Sequence, residues 1–157
     1  MLALNSPVIQ QGFFYAGRDS AHGEFRASCA IEGGAIIGPD SLIRTIREID
    51  DLSAGSLQNG DVPTAVAQEN AKRLLSEAQI NQPIYVIPSA VEASEGDLLI
   101  HWDTQVRNVV LICPASNAKP AQIYMETLAG RRAVHSEMVE ASPQSLSEAL
   151  AWVLRAR

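Results

Sequence analysis

Aromatic side chains are scarce in this chain of 157 residues: Phe, Tyr and Trp together make up 5% of it. A core must therefore be built mainly from Leu, Ile, Val and Ala. Cysteine is scarcer still, with Cys29 and Cys113 alone, too few for a fold stapled by disulfides. Basic residues are outnumbered, 12 Lys and Arg against 18 Asp and Glu, which leaves a net charge of −6. Binding to phosphate backbones is driven by Lys and Arg, so this balance argues against a general polyanion binder. Nucleic acid is a disfavoured partner on that ground. No apolar run approaches the ~18 residues of a membrane-spanning helix. The opening "MLALNSPVIQQGFF" has no basic start before its apolar residues, so it makes a poor secretory leader. A reduced, cytoplasmic setting is the expectation.

What is present is ordinary for a globular protein: 46% hydrophobic and 19% charged residues, and a length that suits one domain with a real core. There is no internal repeat, but the texture changes near residue 38. Residues 1–38 are rich in Gly, Ala and Ser, with partial period-two alternation through Phe25, Ala27, Cys29 and Ile31. That pattern reads as an N-terminal arm or hairpin. Residues 39–157 read as a single α+β domain.

In "PDSLIRTIREIDDL", Leu42, Ile43, Ile46, Ile49 and Leu52 recur at helical spacing behind a capping Asp40 or Ser41. In "VPTAVAQENAKRLLSEAQ", Val66, Ala67, Asn70, Ala71, Leu74, Leu75 and Ala78 form a second stripe. Thr64 is placed to cap it, and Pro63 sits where a missing amide costs little. After Pro83 the period drops towards two. Strands are expected over residues 84–87, 97–102, 109–113, 122–127 and 133–139. Their connections, "PSAVEASEG", "DTQVRN", "PASNAKPA" and "LAGR", are too short for crossover helices, so neighbours should be antiparallel. "SPQSLSEALAWVLRAR" closes the chain as an amphipathic helix. The expected fold is α+β: two helices in the N-terminal half, an antiparallel meander of four to five strands, and a closing C-terminal helix.

Four residues could carry chemistry: His101, Asp103, His135 and Cys113. As a hairpin, "GDLLIHW" puts Leu98, Ile100 and Trp102 on one face, and Leu99, His101 and Asp103 on the other. If Trp102 opposes Val109, Cys113 joins the apolar face and the sheet separates it from His101. If His101 opposes Leu111, the thiol comes diagonally near the imidazole, and a nucleophile site becomes conceivable. A small hydrolase or nuclease using His101 and Asp103 with His135 or Cys113 is thus one alternative. No His pair has metal-ligand spacing, and neither "EGGAIIG" nor "SAGSLQNG" is a phosphate loop, so no metal and no cofactor are expected. The two helices are joined by far more than the three or four residues of a helix-turn-helix. Arg107, Arg131 and Arg132 would gather if their turns share one end of the sheet. A nucleic-acid accessory protein using these turn arginines is the second alternative.

The layout resembles a broad set of small bacterial α+β proteins that have no agreed activity. The resemblance is carried by "NGDVPTAVAQENAKRLL", "PIYVIPS", "GDLLIHW", "VVLICP", "IYME" and "LSEALAWVL", and spans about residues 40–155. It implies the same fold, in a chain of the kind that serves as an accessory component in mobile or defence-related systems. The leading expectation is a non-enzymatic protein-interaction module: an accessory, inhibitor or antitoxin-like partner in a bacterial or phage-encoded system. Its partner would be another protein, with a homodimer as a further option. Phe13, Phe14 and Tyr15, with the three turn arginines, are the candidate contact residues.

Overall fold

The computed structural model describes residues 39–54, 61–81 and 86–155. The expected N-terminal arm and the aromatic triplet Phe13, Phe14 and Tyr15 lie outside the described residues. Two helices come first, α1 (Pro39–Ser53) and α2 (Ala65–Asn81). Five strands follow: β1 (Ala90–Ser94), β2 (Asp97–Asp103), β3 (Arg107–Cys113), β4 (Gln122–Ala129) and β5 (Arg132–Glu140). The chain closes with α3 (Pro143–Leu154). The strands form one antiparallel meander in the order β1-β2-β3-β4-β5. This is the α+β architecture that the periodicities predict.

Period-two alternation sorts the strand residues onto two faces. Leu98, Ile100 and Trp102 of β2 stand opposite Cys113, Leu111 and Val109 of β3. With Ile123 of β4 they form an inward row in which no residue is more than 1% exposed. The helices supply the other half of this core: Ile49 and Leu52 from α1, Ala67, Ala71, Leu74, Leu75 and Ala78 from α2, and Leu146, Ala149, Leu150 and Val153 from α3. Alanines on α2 let its backbone approach the sheet closely. Trp102, the largest buried side chain, donates its indole N–H to the Val86 carbonyl at 2.9 Å, so its one polar atom is satisfied.

Local hydrogen bonds fix where the helices begin. Thr64 caps α2 by accepting from the Ala67 N–H at 3.2 Å. Its hydroxyl also donates to the Ala115 carbonyl at 2.8 Å, and its own N–H donates to the Gly96 carbonyl at 2.9 Å. One residue therefore ties the start of α2 to two loops of the sheet. Ser142 and Ser145 form a reciprocal capping box at α3, with Pro143 in the first turn. The Ser147 hydroxyl lies 3.0 Å from the Ala78 carbonyl and joins α3 to α2.

Two expectations require correction. No strand occupies Val86–Ile87; the first strand is β1, inside the stretch read as a turn-rich connection. Ala, Glu and Ser are weak strand formers. What makes β1 a strand is the hairpin that follows it. Glu95 and Gly96 have φ of 53° and 88°, the two left-handed residues that a two-residue hairpin turn needs. That turn sets Ser94 against Asp97 and brings Val91 and Ala93 into line with Ile100 and Leu98. The second correction concerns α1. Its buried side includes Ser41 and Thr45 beside Ile49 and Leu52, whereas Ile43 is 46% exposed. Thr45 offsets the cost of burial by donating to the Ser41 carbonyl at 3.1 Å.

The two turn glycines should respond differently to alanine. Both have positive φ, but a Cβ at Gly130 meets nothing within 4 Å, whereas at Gly96 it meets Ala115 Cβ and Thr64 Cγ2, each at 3.2 Å. Gly130→Ala is expected to cost about 1 kcal/mol from the backbone alone. Gly96→Ala adds the steric term and is expected to cost about 2 kcal/mol. Urea unfolding measures both, and equal losses would contradict the role given to the Thr64 and Ala115 contacts.

Candidate functional site

Trp102 opposes Val109, the first of the two pairings considered for this hairpin. Cys113 consequently points into the core and is 0% exposed. Burial pushes its thiol up from 9.0 to about 12, with nearby Arg73 lowering it only in part. A thiol held this way is a small hydrophobe and not a nucleophile. His101 and Asp103 share the opposite face, as the alternation predicts, but they do not pair with each other in the described contacts. The His101 Nε2 lies 2.9 Å from Glu92 Oε1, and Asp103 Oδ2 accepts from the Ser89 hydroxyl at 2.8 Å. His135 stands on β5 opposite Thr127, on the inward side and three strands away from β2. The four candidates are thus split, two outward and two inward. The cysteine form of the hydrolase reading has no geometry to work with.

The turn arginines are partly gathered. The Leu128 N–H donates to the Val106 carbonyl at 2.8 Å, so the β2–β3 and β4–β5 turns do share one end of the sheet. Arg107 is already engaged there: its guanidinium lies 4.5 Å from the Trp152 ring centroid and donates to the Trp152 carbonyl. It fastens the C-terminal turn of α3 to the sheet. Arg131 and Arg132 remain exposed in the β4–β5 turn.

The outward face of the sheet is the more informative surface. The registers place Leu99 beside Ile112, and Val110 between His101 and Tyr124, with Met138 next beyond Tyr124. These side chains make an apolar band across four strands, half-buried except for Met138, which is 53% exposed. The band is bordered by Glu92, Asp97, Asp103, Glu126 and Glu140, and the strand positions on this face carry no Lys or Arg. Buried residues of all three helices belong to the inward core. Among the described residues, none of the helices covers the outward band.

Polar groups on this face are organised. The Tyr124 hydroxyl donates to Glu126 Oε1 at 3.0 Å, and the Asn108 amide donates to Glu126 Oε2 at 3.3 Å. Partial burial, then the hydrogen bond and charge of Glu126, push the Tyr124 phenol up from its usual range of about 10, so it stays a donor at neutral pH. A shallow hollow of about 310 Å³ opens at one end, lined by Asp97, Ile112, Pro114, Lys119 and Gln122 among others. Among the described residues, no group of three or more His, Cys, Asp or Glu could hold a metal. No described helix is long and apolar enough to cross a membrane. Glu92, Tyr124 and Glu126 were not singled out by sequence. They alternate with inward residues on their strands, but only the register makes them neighbours.

No family model, curated protein or solved structure matches the chain, so function must be read from geometry.

The inward thiol has a measurable signature. Its folded pKa lies above the unfolded value of 9.0, so the unfolded chain loses the proton first as pH rises. Between pH 9 and about 12 the unfolded state therefore binds fewer protons, and stability should fall by up to about 1.4 kcal/mol per pH unit from this group. Below pH 9 the contribution is fully present. Subtracting the unfolding curve of Cys113→Ala isolates it; curves that stay parallel from pH 9 to 11 would contradict the buried, protonated thiol.

Proposed function

We propose that this chain is a non-catalytic protein-interaction module that docks a partner on the outward face of its sheet. The observation that supports it most is the band of Leu99, Ile112, Val110, Tyr124 and Met138, left open by the described helices and bordered by carboxylates. A sheet face covered by nothing would ordinarily be polar at every outward position. Here the centre is apolar and the charges are kept to the border, the arrangement of a docking surface with a desolvated centre and a solvated rim.

Charge sets the class of partner. Five carboxylates and no Lys or Arg on the strand positions favour a partner with a basic rim around apolar contacts. An accessory or inhibitory protein that covers a basic functional surface, as an antitoxin-like protein would, fits that description. Catalysis is not needed to account for any feature of the face, because His101 and Asp103 have structural partners in Glu92 and Ser89.

A labelled peptide rich in Arg and Leu is a direct probe of this reading. It should bind with salt-sensitive affinity, and its acidic counterpart should not. Ile112→Lys should weaken binding by about tenfold while leaving the unfolding midpoint close to wild type, because Ile112 lies outside the core. Equal binding of the basic peptide to Ile112→Lys and wild type would defeat the assignment of this face.

A further inference from the structure

We propose that one partner of this module is a second copy of the chain, joined edge to edge through β5 into a continuous ten-stranded sheet. The proposal rests on reading the chain as an interaction module and gives that reading a specific occupant. It starts from the exposure of β5. Every residue of this nine-residue strand is exposed except Val139, which is half-buried, and Val134 is 60% and Met138 53% exposed. The strand ends the sheet, and among the described residues nothing pairs with its far side. Long free edges are usually shortened, covered, or broken by Pro or Lys. β5 contains neither Pro nor Lys, and its one irregularity, a bulge at Val134 between His135 and Ala133, leaves residues 135–140 in regular register.

The backbone phase can be worked out. The Ala141 N–H donates to the Ala121 carbonyl at 2.8 Å, and that pair continues the β4–β5 register. Hydrogen-bonded pairs in an antiparallel ladder alternate. Val139, Glu137 and His135 therefore turn their backbone groups towards β4, and Glu140, Met138 and Ser136 turn theirs outward. The Leu128-to-Val106 bond between β4 and β3 gives the same phase independently. Ser136 is thus an outward-bonding residue at the middle of the strand.

Side-chain chemistry is symmetric about that residue. In "RAVHSEMVE", a two-fold axis beside Ser136 sets Ser136 against Ser136 of the second copy, His135 against Glu137 and Val134 against Met138, and the bulge at Val134 closes the regular overlap. Arg132 and Glu140 lie beyond the regular overlap, where the long arginine can still reach the carboxylate. Apolar meets apolar, imidazole meets carboxylate, and like charges are not opposed. A two-fold contact needs a patch complementary to itself, and this strand is one. Outward N–H and C=O groups of Ser136 and Met138 find partners in the same register, as in strand addition generally. The joined sheet would also merge the two outward faces into one.

Sedimentation of the full-length chain should show a concentration-dependent dimer. His135→Glu places carboxylate against carboxylate twice per dimer and should weaken association by about tenfold; His135→Glu with Glu137→Arg should restore it. In a Cys29→Ser background, a short bifunctional maleimide should cross-link Ser136→Cys into a covalent dimer, because the two thiols of a directly opposed pair, with Cα atoms about 5.5 Å apart, lie within its reach. His135 and Glu137 are exposed, so these variants should fold, and circular dichroism checks that they do. A chain that stays monomeric, or a dimer indifferent to His135→Glu and not linked through Ser136→Cys, overturns the proposal. Binding of the basic peptide by a strictly monomeric chain would remove only this inference; a dimer that ignores the peptide would remove the assigned docking face and leave β5 pairing intact.

Discussion

The pairing of Trp102 with Val109 governs the rest of the molecule. It places Leu98, Ile100 and Trp102 on the same side as Val109, Leu111 and Cys113, and so creates a buried hairpin face whose six side chains hold no polar group except one indole N–H and one thiol. Each of the three helices then has an apolar surface to cover. Shifting this hairpin by one residue would send Cys113 outward beside His101 and turn Val110 and Ile112 into the helices. The core would lose its continuity, because Val109, Leu111 and Cys113 would leave it while Leu98, Ile100 and Trp102 kept their places.

The same parity defines what is left over. Three helices pack on β1 to β4, and the sheet carries one strand more than they shelter. α1 lies on the short edge strand β1, and α2 and α3 both lie over β2 and β3, with α3 alone reaching β4. β5, apart from Val139, therefore projects from the layer with both faces exposed, and no described helix covers the outward band beside it. Arg107 stacked on Trp152, and Thr64 spanning two loops, hold the cover in place.

Much of this architecture could be read from residues alone. The stripes on α2 and α3, the Thr64 cap, and strands β2 to β5 carry strong periodic signals, and each element occurs where its pattern lies. β1 escaped because "AVEAS" has only Val91 as a strong strand former; its identity comes from the Glu95–Gly96 turn and the strand it folds back upon. The face of α1 escaped because Ile43 and Ile46 suggest one stripe, whereas Ser41, Thr45, Ile49 and Leu52 form the buried one. A short polar side chain that bonds its own helix can be buried at little cost, and hydrophobicity does not register it.

For the candidate site the division is sharper. Sequence by itself determined that Trp102 and His101 must face opposite ways, because adjacent residues on a strand always do. It determined too that the chain is acidic and that its chemistry-bearing residues are few. Which face Cys113 shares, whether Asp103 meets His101 or Ser89, and whether Arg107 is free or stacked on Trp152 were decided only by tertiary structure. Each depends on pairing between segments distant in the chain, and local pattern carries no information about register. The outward band follows the same rule: Leu99, Val110, Ile112, Tyr124 and Met138 come from four strands, and only the folded sheet makes them one surface.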